Sequence, residues 1–137
     1  MIDNDLLQAA LVAKSNSTPN IQASLASGTI VEYNFQGTDW VYPNARLQME
    51  SQYDVSEDSA NCPSQTEWSW YIFSEQGTSK QANQIASKFV NSFRGLSFTQ
   101  NSIKFTRVHI LENIPAIRQD ERTWRAQVRC RSIVHNA

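Results

Sequence analysis

Histidine, cysteine and glycine are scarce in this chain: two, two and four among 137 residues. Each shortage removes a class of chemistry. Cys62 and Cys130 stand 68 positions apart with no CxxC partner, and His109 and His135 are the only imidazoles that could join them. That is neither metal-ligand spacing nor a disulfide scaffold. The four glycines form no phosphate-cradling loop, and there is no HExxH and no nucleophile elbow. Long apolar runs are missing too: none approaches the roughly 18 residues that a membrane span needs. The opening MIDNDLLQAALVAKS carries acids where a secretory leader carries lysines. These absences predict a protein made inside the cell, away from membranes and without a cofactor.

What is present suits one soluble domain. A hydrophobic fraction of 40% with 18% charge supports a packed core and argues against disorder, and the length is that of a single domain. The net charge of −1 hides a division at Glu75. Residues 1–75 hold ten acids against two bases, a net of −8, and residues 76–137 hold ten bases against three acids, a net of +7. Either the halves intermix and neutralise each other within one fold, or opposite faces of neighbouring copies meet, as heterologous contacts in a ring allow.

The pattern along the chain predicts an α+β fold, an antiparallel or mixed sheet of four to five strands with two main helices largely on one face. Asp3 is placed to cap a helix from Asn4 to about Lys14, with Ile2 stapled onto Leu7. Ser15 to Gly28, rich in Ser, Thr and Asn and containing Pro19, reads as a connection. Alternating residues mark strands at Thr29–Phe35 and at 41–50, with Pro43 near the start of the second. The polar interval Ser51–Thr66 reads as a long loop or a flexible hairpin, and Tyr53, Asp54, Glu57 and Asp58 within it are candidate partner contacts. The aromatic run Trp68–Phe73 suits a central strand covered on both faces. From Thr78, a capping box with Gln81 opens a helix whose apolar stripe is Ala82, Ile85, Ala86, Phe89, Val90 and Phe93, ended by Gly95. Two closing strands, Ile103–Asn113 and Thr123–Val134, flank a charged turn at Arg118–Arg122. In the first of them the apolar phase shifts from Ile103 and Phe105 to Val108 and Ile110, which predicts a bulge.

Catalysis finds no support in this pattern. His109 sits mid-strand without a nucleophile nearby, Cys130 falls on the apolar phase of its strand as a small core residue, and the acid pairs Glu57-Asp58 and Asp120-Glu121 lie in solvated turns. The chain reads as a non-enzyme.

The last strand, TWRAQVRCRS, buries Trp124, Ala126, Val128, Cys130 and Val134 and turns Arg125, Gln127, Arg129 and Arg131 to the other side. Together with Trp40–Glu50, the aromatic strand Trp68–Phe73 and the helix-bearing EQGTSKQANQIASKFVNSF, this strand resembles the tail terminator proteins of long-tailed bacteriophages, also described as tail completion or minor-tail-protein-U-like proteins. The similarity runs from the first helix to the end of the chain and rests on element order, size and residue character. It implies a structural virion protein at the tail–neck junction, assembled in the host cytoplasm. There a homohexameric ring caps the tube, ends polymerisation of the tail tube protein and meets the head–tail connector or neck protein. A head–tail connector or neck adaptor is the alternative, and a small nucleic-acid-binding domain a remoter one, disfavoured by the pI near 6.1. Three roles stay open for Arg125, Arg129 and Arg131: a solvated face paired with local acids, a subunit interface, or a ring lumen making non-specific contact with passing DNA.

Overall fold

A computed structural model describes residues 2–33, 39–55 and 63–137. Its elements run α1 (Asn4–Asn16), α2 (Pro19–Gln22), β1 (Val31–Glu32), β2 (Asn44–Asp54), β3 (Ser64–Ser74), α3 (Lys80–Phe93), β4 (Phe98–Gln100), β5 (Ile103–Arg118) and β6 (Trp124–Asn136). Six strands form one sheet in the order β1-β2-β3-β6-β5-β4, with β1 parallel to β2 and the other pairs antiparallel. The expected mixed α+β sheet is present, with six strands and three helices where four to five strands and two helices were predicted. The extra elements are short. β4 spans three residues with one buried side chain, Phe98, and α2 spans four with one, Ile21, so neither repeats long enough to leave a periodic signal.

In α1, buried Leu7, Ala10, Leu11 and Ser15 recur at helical spacing, and the Ser15 hydroxyl returns a hydrogen bond to the Leu11 carbonyl at 2.8 Å. Asp3 occupies the N-cap as expected, but its side chain makes no capping bond; its carbonyl instead accepts from the Leu6 and Leu7 N–H groups at 3.1 Å. The capping box at α3 is also not formed. Ser79 is the N-cap residue, and the Gln81 carbonyl oxygen is taken by the Ser74 hydroxyl at 2.6 Å. The stripe on α3 is as predicted: Ala82, Ile85, Ala86, Phe89, Val90 and Phe93 are all buried. Gly95, at φ 70°, makes the left-handed turn after the helix.

Of the strand predicted at Thr29–Phe35 only Val31–Glu32 pairs, and residues 34–38 lie outside the described part. β2 begins at Asn44, directly after Pro43, and runs on to Asp54, so Ser51–Asp54 is strand and not loop; the partner residues Ser64–Thr66 are strand as well. Polar residues on both faces hid this extension: Ser64 and Thr66 are fully buried although neither is apolar, so the segment shows no apolar alternation, and the hairpin alternative for this interval holds over these residues. β3 sits at the centre between β2 and β6. Trp68, Trp70 and Ile72 point under the helices, while Ser69 and Phe73 are buried on the opposite side. Coverage on both faces therefore holds, by helices on one and by polar and aromatic side chains on the other.

The bulge predicted in β5 lies between Thr106 and His109, with further irregularities at Ile110/Glu112 and Ile114/Ile117. Arg107 takes φ 40°, a conformation that strains a residue with a side chain and persists where neighbours enforce it. They do so here. The Arg107 N–H donates to the Ser97 hydroxyl at 2.9 Å, the Val108 N–H to the Leu96 carbonyl at 2.8 Å and the Gly95 N–H to the Val108 carbonyl at 2.8 Å. From the other strand, the buried Ser132 hydroxyl donates to the Thr106 carbonyl at 2.9 Å.

The turn from β5 to β6 is tied by Asp120, whose Oδ1 accepts from the N–H groups of Arg122 at 2.9 Å and Thr123 at 2.8 Å. Those two bonds, Arg122's first, hold its carboxyl below the usual carboxylate range. A depressed folded-state pKa contributes stability above the unfolded value, about 3.9, and that contribution disappears as pH falls through the folded value. Asp120→Ala is therefore expected to melt at lower temperature than the parent at neutral pH. The two melting curves should converge in strong acid; a gap that persists there would show that the carboxylate charge is not what the turn uses.

Candidate functional site

The helix-free face of the sheet collects the candidate arginines. Strand alternation on β6 puts Arg125, Gln127, Arg129 and Arg131 on this face, while Ala126, Val128, Cys130 and Val134 are fully buried on the other. Trp124, expected in the buried set, is only half-buried, and its indole N–H donates to the Gln76 carbonyl at 3.1 Å. Burial also pushes the Cys130 thiol far up, as suits a core residue.

The four polar residues do not share one environment. Arg129 is surrounded by carboxylates from three strands: its Nη2 donates to Glu67 Oε2 at 2.8 Å, its Nη1 lies 3.5 Å from Glu112 Oε1 and its Nε 3.0 Å from Glu50 Oε2. The Nε–H has no aligned acceptor, so its contact with Glu50 is electrostatic. The hydrogen bond donated to Glu67 and then the charge of Glu50 push the Arg129 pKa up. A chain of hydrogen bonds extends the group. Gln127 Nε2 donates to Ser69 Oγ at 3.1 Å, and Ser69 Oγ donates to Glu50 Oε1 at 2.6 Å. Arg125 lies over Tyr71, 5.3 Å from the ring centroid. Arg131 is exposed and has no carboxylate within ion-pair distance among the described residues.

The charge division of the sequence is thus partly resolved inside one protomer. Glu50 and Glu67 come from the acidic half, and Arg129, which joins them, from the basic half. Nothing in the sequence pairs Glu67 with Arg129; only the β3–β6 register, Glu67 opposite Arg131 and Ser69 opposite Arg129, sets them side by side. The polar phase of β3, Glu67-Ser69-Tyr71, was the available signal.

Toward the β1 edge, the same face carries a stack that the sequence did not announce. The Arg46 guanidinium carbon lies 3.7 Å from the Trp40 ring centroid and 4.0 Å from that of Phe73, and its Nε donates to Asn44 Oδ1 at 3.0 Å. Desolvation lowers its pKa against the opposing influence of Tyr42. Tyr33 closes the cluster, 5.0 Å from Tyr71 and 6.2 Å from Phe73 between ring centroids.

The second candidate group is separate. Tyr53 and Asp54 are exposed at the far end of the β2–β3 hairpin, paired with Gln65 and Ser64, so they are strand residues rather than loop contacts. Glu57 and Asp58 lie outside the described residues. Among the described residues no cluster of three or more His, Cys, Asp or Glu could hold a metal ion, and no helix is long and apolar enough to cross a membrane.

No family model and no curated protein matches the chain. Solved structures do match. A chain from the virion of a native gene transfer agent particle superposes with a TM-score of 0.70 over 95% of each chain, at 14% identity. The fold is that of a virion-particle chain. A second solved chain superposes with a TM-score of 0.64, at 17% identity, over 98% of this chain and 96% of its own length. Near-complete coverage in both directions means that the whole sheet and its helical layer are shared, with no large insertion on either side.

Proposed function

We propose that this chain is a structural protein of a virion, and that it forms a ring, a homohexamer, that caps the tail tube, ends tube polymerisation and offers the surface for head–tail joining. The observation that carries the reading is the end-to-end likeness of its fold to a chain of a virion particle. The resemblance to tail terminators supplies the finer role, with the tail tube protein on one side of the ring and the connector or neck protein on the other. The chemistry agrees with a scaffold: the helix-free face presents a saturated ion cluster and stacked arginines, groups that fix a surface rather than turn over a substrate.

Arg129 is committed to Glu50, Glu67 and Glu112, so contact between copies falls to Arg125, Arg131 and the hairpin end at Tyr53 and Asp54. Charged contacts exposed at a protomer boundary are screened beyond about 8–10 Å at physiological salt. The ring is therefore expected to dissociate progressively as salt rises, measured by mass in solution and by electron microscopy of tail tubes with the protein added. Arg125→Gln combined with Arg131→Gln should leave the monomer folded and weaken the ring, and in infected cells overlong or headless tails should accumulate. A protein that stays monomeric even on tail tubes would overturn the terminator reading. A ring that binds connector but not tube would replace it with the neck-adaptor role.

A further inference from the structure

The β5 bulge builds a second feature, next to the arginine face but outside its ion cluster. Between β5, β6 and the start of β3 lies a cleft of about 310 Å³ whose walls include Gln65, Thr106, Arg107, His109 and Arg131. Among the described residues no acidic side chain lines it. The contrast with Arg129, two residues away on β6, is sharp. Three carboxylates converge on that guanidinium, whereas neither Arg107 nor Arg131 has one within ion-pair distance among the described residues. Glu67, the cross-strand neighbour of Arg131, has its carboxylate engaged by Arg129 at 2.8 Å.

The position of Arg107 is also imposed. In a regular strand, residues 106 and 107 would point to opposite faces. The positive φ at Arg107, held by Ser97, Leu96 and Gly95 on one side and by the Ser132–Thr106 bond on the other, lets both line the cleft with Arg131. His109 is paired directly with Arg131 across the ladder. A strained residue in a bulge fixed by four hydrogen bonds, a second arginine, neither of them ion-paired among the described residues, and a histidine thus line one concavity.

We propose that this cleft is a binding site for a phosphate group. A carboxylate presents one two-oxygen edge, which pairs with a single guanidinium fork, whereas a tetrahedral oxyanion with three or more free oxygens presents separate edges to two forks from adjacent strands. His109 and the amide of Gln65 supply further donors at the rim. The phosphate can be a free oxyanion or the phosphomonoester at the end of a nucleic-acid strand, since a backbone phosphodiester has only two free oxygens, and the site does not depend on ring formation.

The test is titration of the isotope-labelled full-length protein with inorganic phosphate at constant ionic strength, following backbone amides by NMR, with sodium chloride and acetate as controls. Saturable shifts confined to residues 106–109, 131–133 and Gln65 are expected with phosphate and not with acetate. Arg131→Gln, at an unstrained position, and Arg107→Gln should each weaken binding about tenfold or more, the scale of a charge-assisted hydrogen bond in a partly exposed site. A short DNA duplex with 5′-phosphate ends that displaces phosphate from these amides, where the same duplex without end phosphates does not, identifies the phosphomonoester as the source; phosphate binding that both duplexes leave untouched identifies the free oxyanion, and displacement by both would overturn the requirement for three free oxygens. Shifts of equal size with acetate, shifts spread over the surface, or phosphate affinity unchanged in the folded Arg131→Gln protein would each overturn the proposal.

Discussion

Trp70→Ala is expected to lower the unfolding free energy by about 3–5 kcal/mol, the range for removing a large aromatic side chain from a core that cannot fully collapse. Trp70 lies at the middle of β3, the strand shared by both halves of the sheet, and is fully buried. Its ring meets Phe93 at 4.4 Å and Phe89 at 5.1 Å between centroids, and Trp68 stands edge-on at 5.8 Å. The indole is therefore the piece on which α3 rests, and its loss removes burial and aromatic contacts together. For a domain of this size the cost corresponds to a fall in Tm of roughly 10–20 °C. Thermal unfolding followed by circular dichroism measures it. A change under about 1 kcal/mol would show that α3 does not seat on β3 through this ring.

Val128→Asp should be more severe, because it places a charge where no partner can reach it. Val128 is fully buried on β6, opposite Trp70 in the ladder, on the face that α3 covers. An unpaired buried carboxylate costs several kcal/mol even after relaxation, a large part of the roughly 5–15 kcal/mol that holds a domain together. The expected result is loss of the cooperative unfolding transition and of soluble monomer. The adjacent Gln127→Asp is the control. It lies on the helix-free face between Arg125 and Arg129, half-exposed, and should fold with a normal transition. If the two variants behaved alike, the inside–outside alternation of β6 would be wrong by one residue.

Much of this was legible in advance because local periodicity records which side of an element is dry. The stripe of α3, the buried phase of β6 from Ala126 onward and the phase shift in β5 all appear in the structure where the residues placed them; Trp124, at the start of β6, is only half-buried. The short elements β4 and α2 were missed because a single buried side chain carries no period. Neither expected side-chain cap formed. At Gln81 the Ser74 hydroxyl, brought in from the end of β3, took the side-chain amide oxygen.

The sequence by itself determined that the fold is α+β, which faces of its long elements are buried, and that a row of arginines stands on one side of the last strand. Only the tertiary structure decided what each arginine meets. Arg129 is matched by Glu50, Glu67 and Glu112, Arg125 lies over Tyr71, and Arg131 shares a cleft with Arg107 that no acid lines among the described residues. The physical reason is that alternation is a property of one strand, whereas an ion pair belongs to the register between strands. Register is set by long-range pairing such as that of β3 with β6, which brings Glu67 beside Arg129, 62 positions away, and which no local pattern encodes.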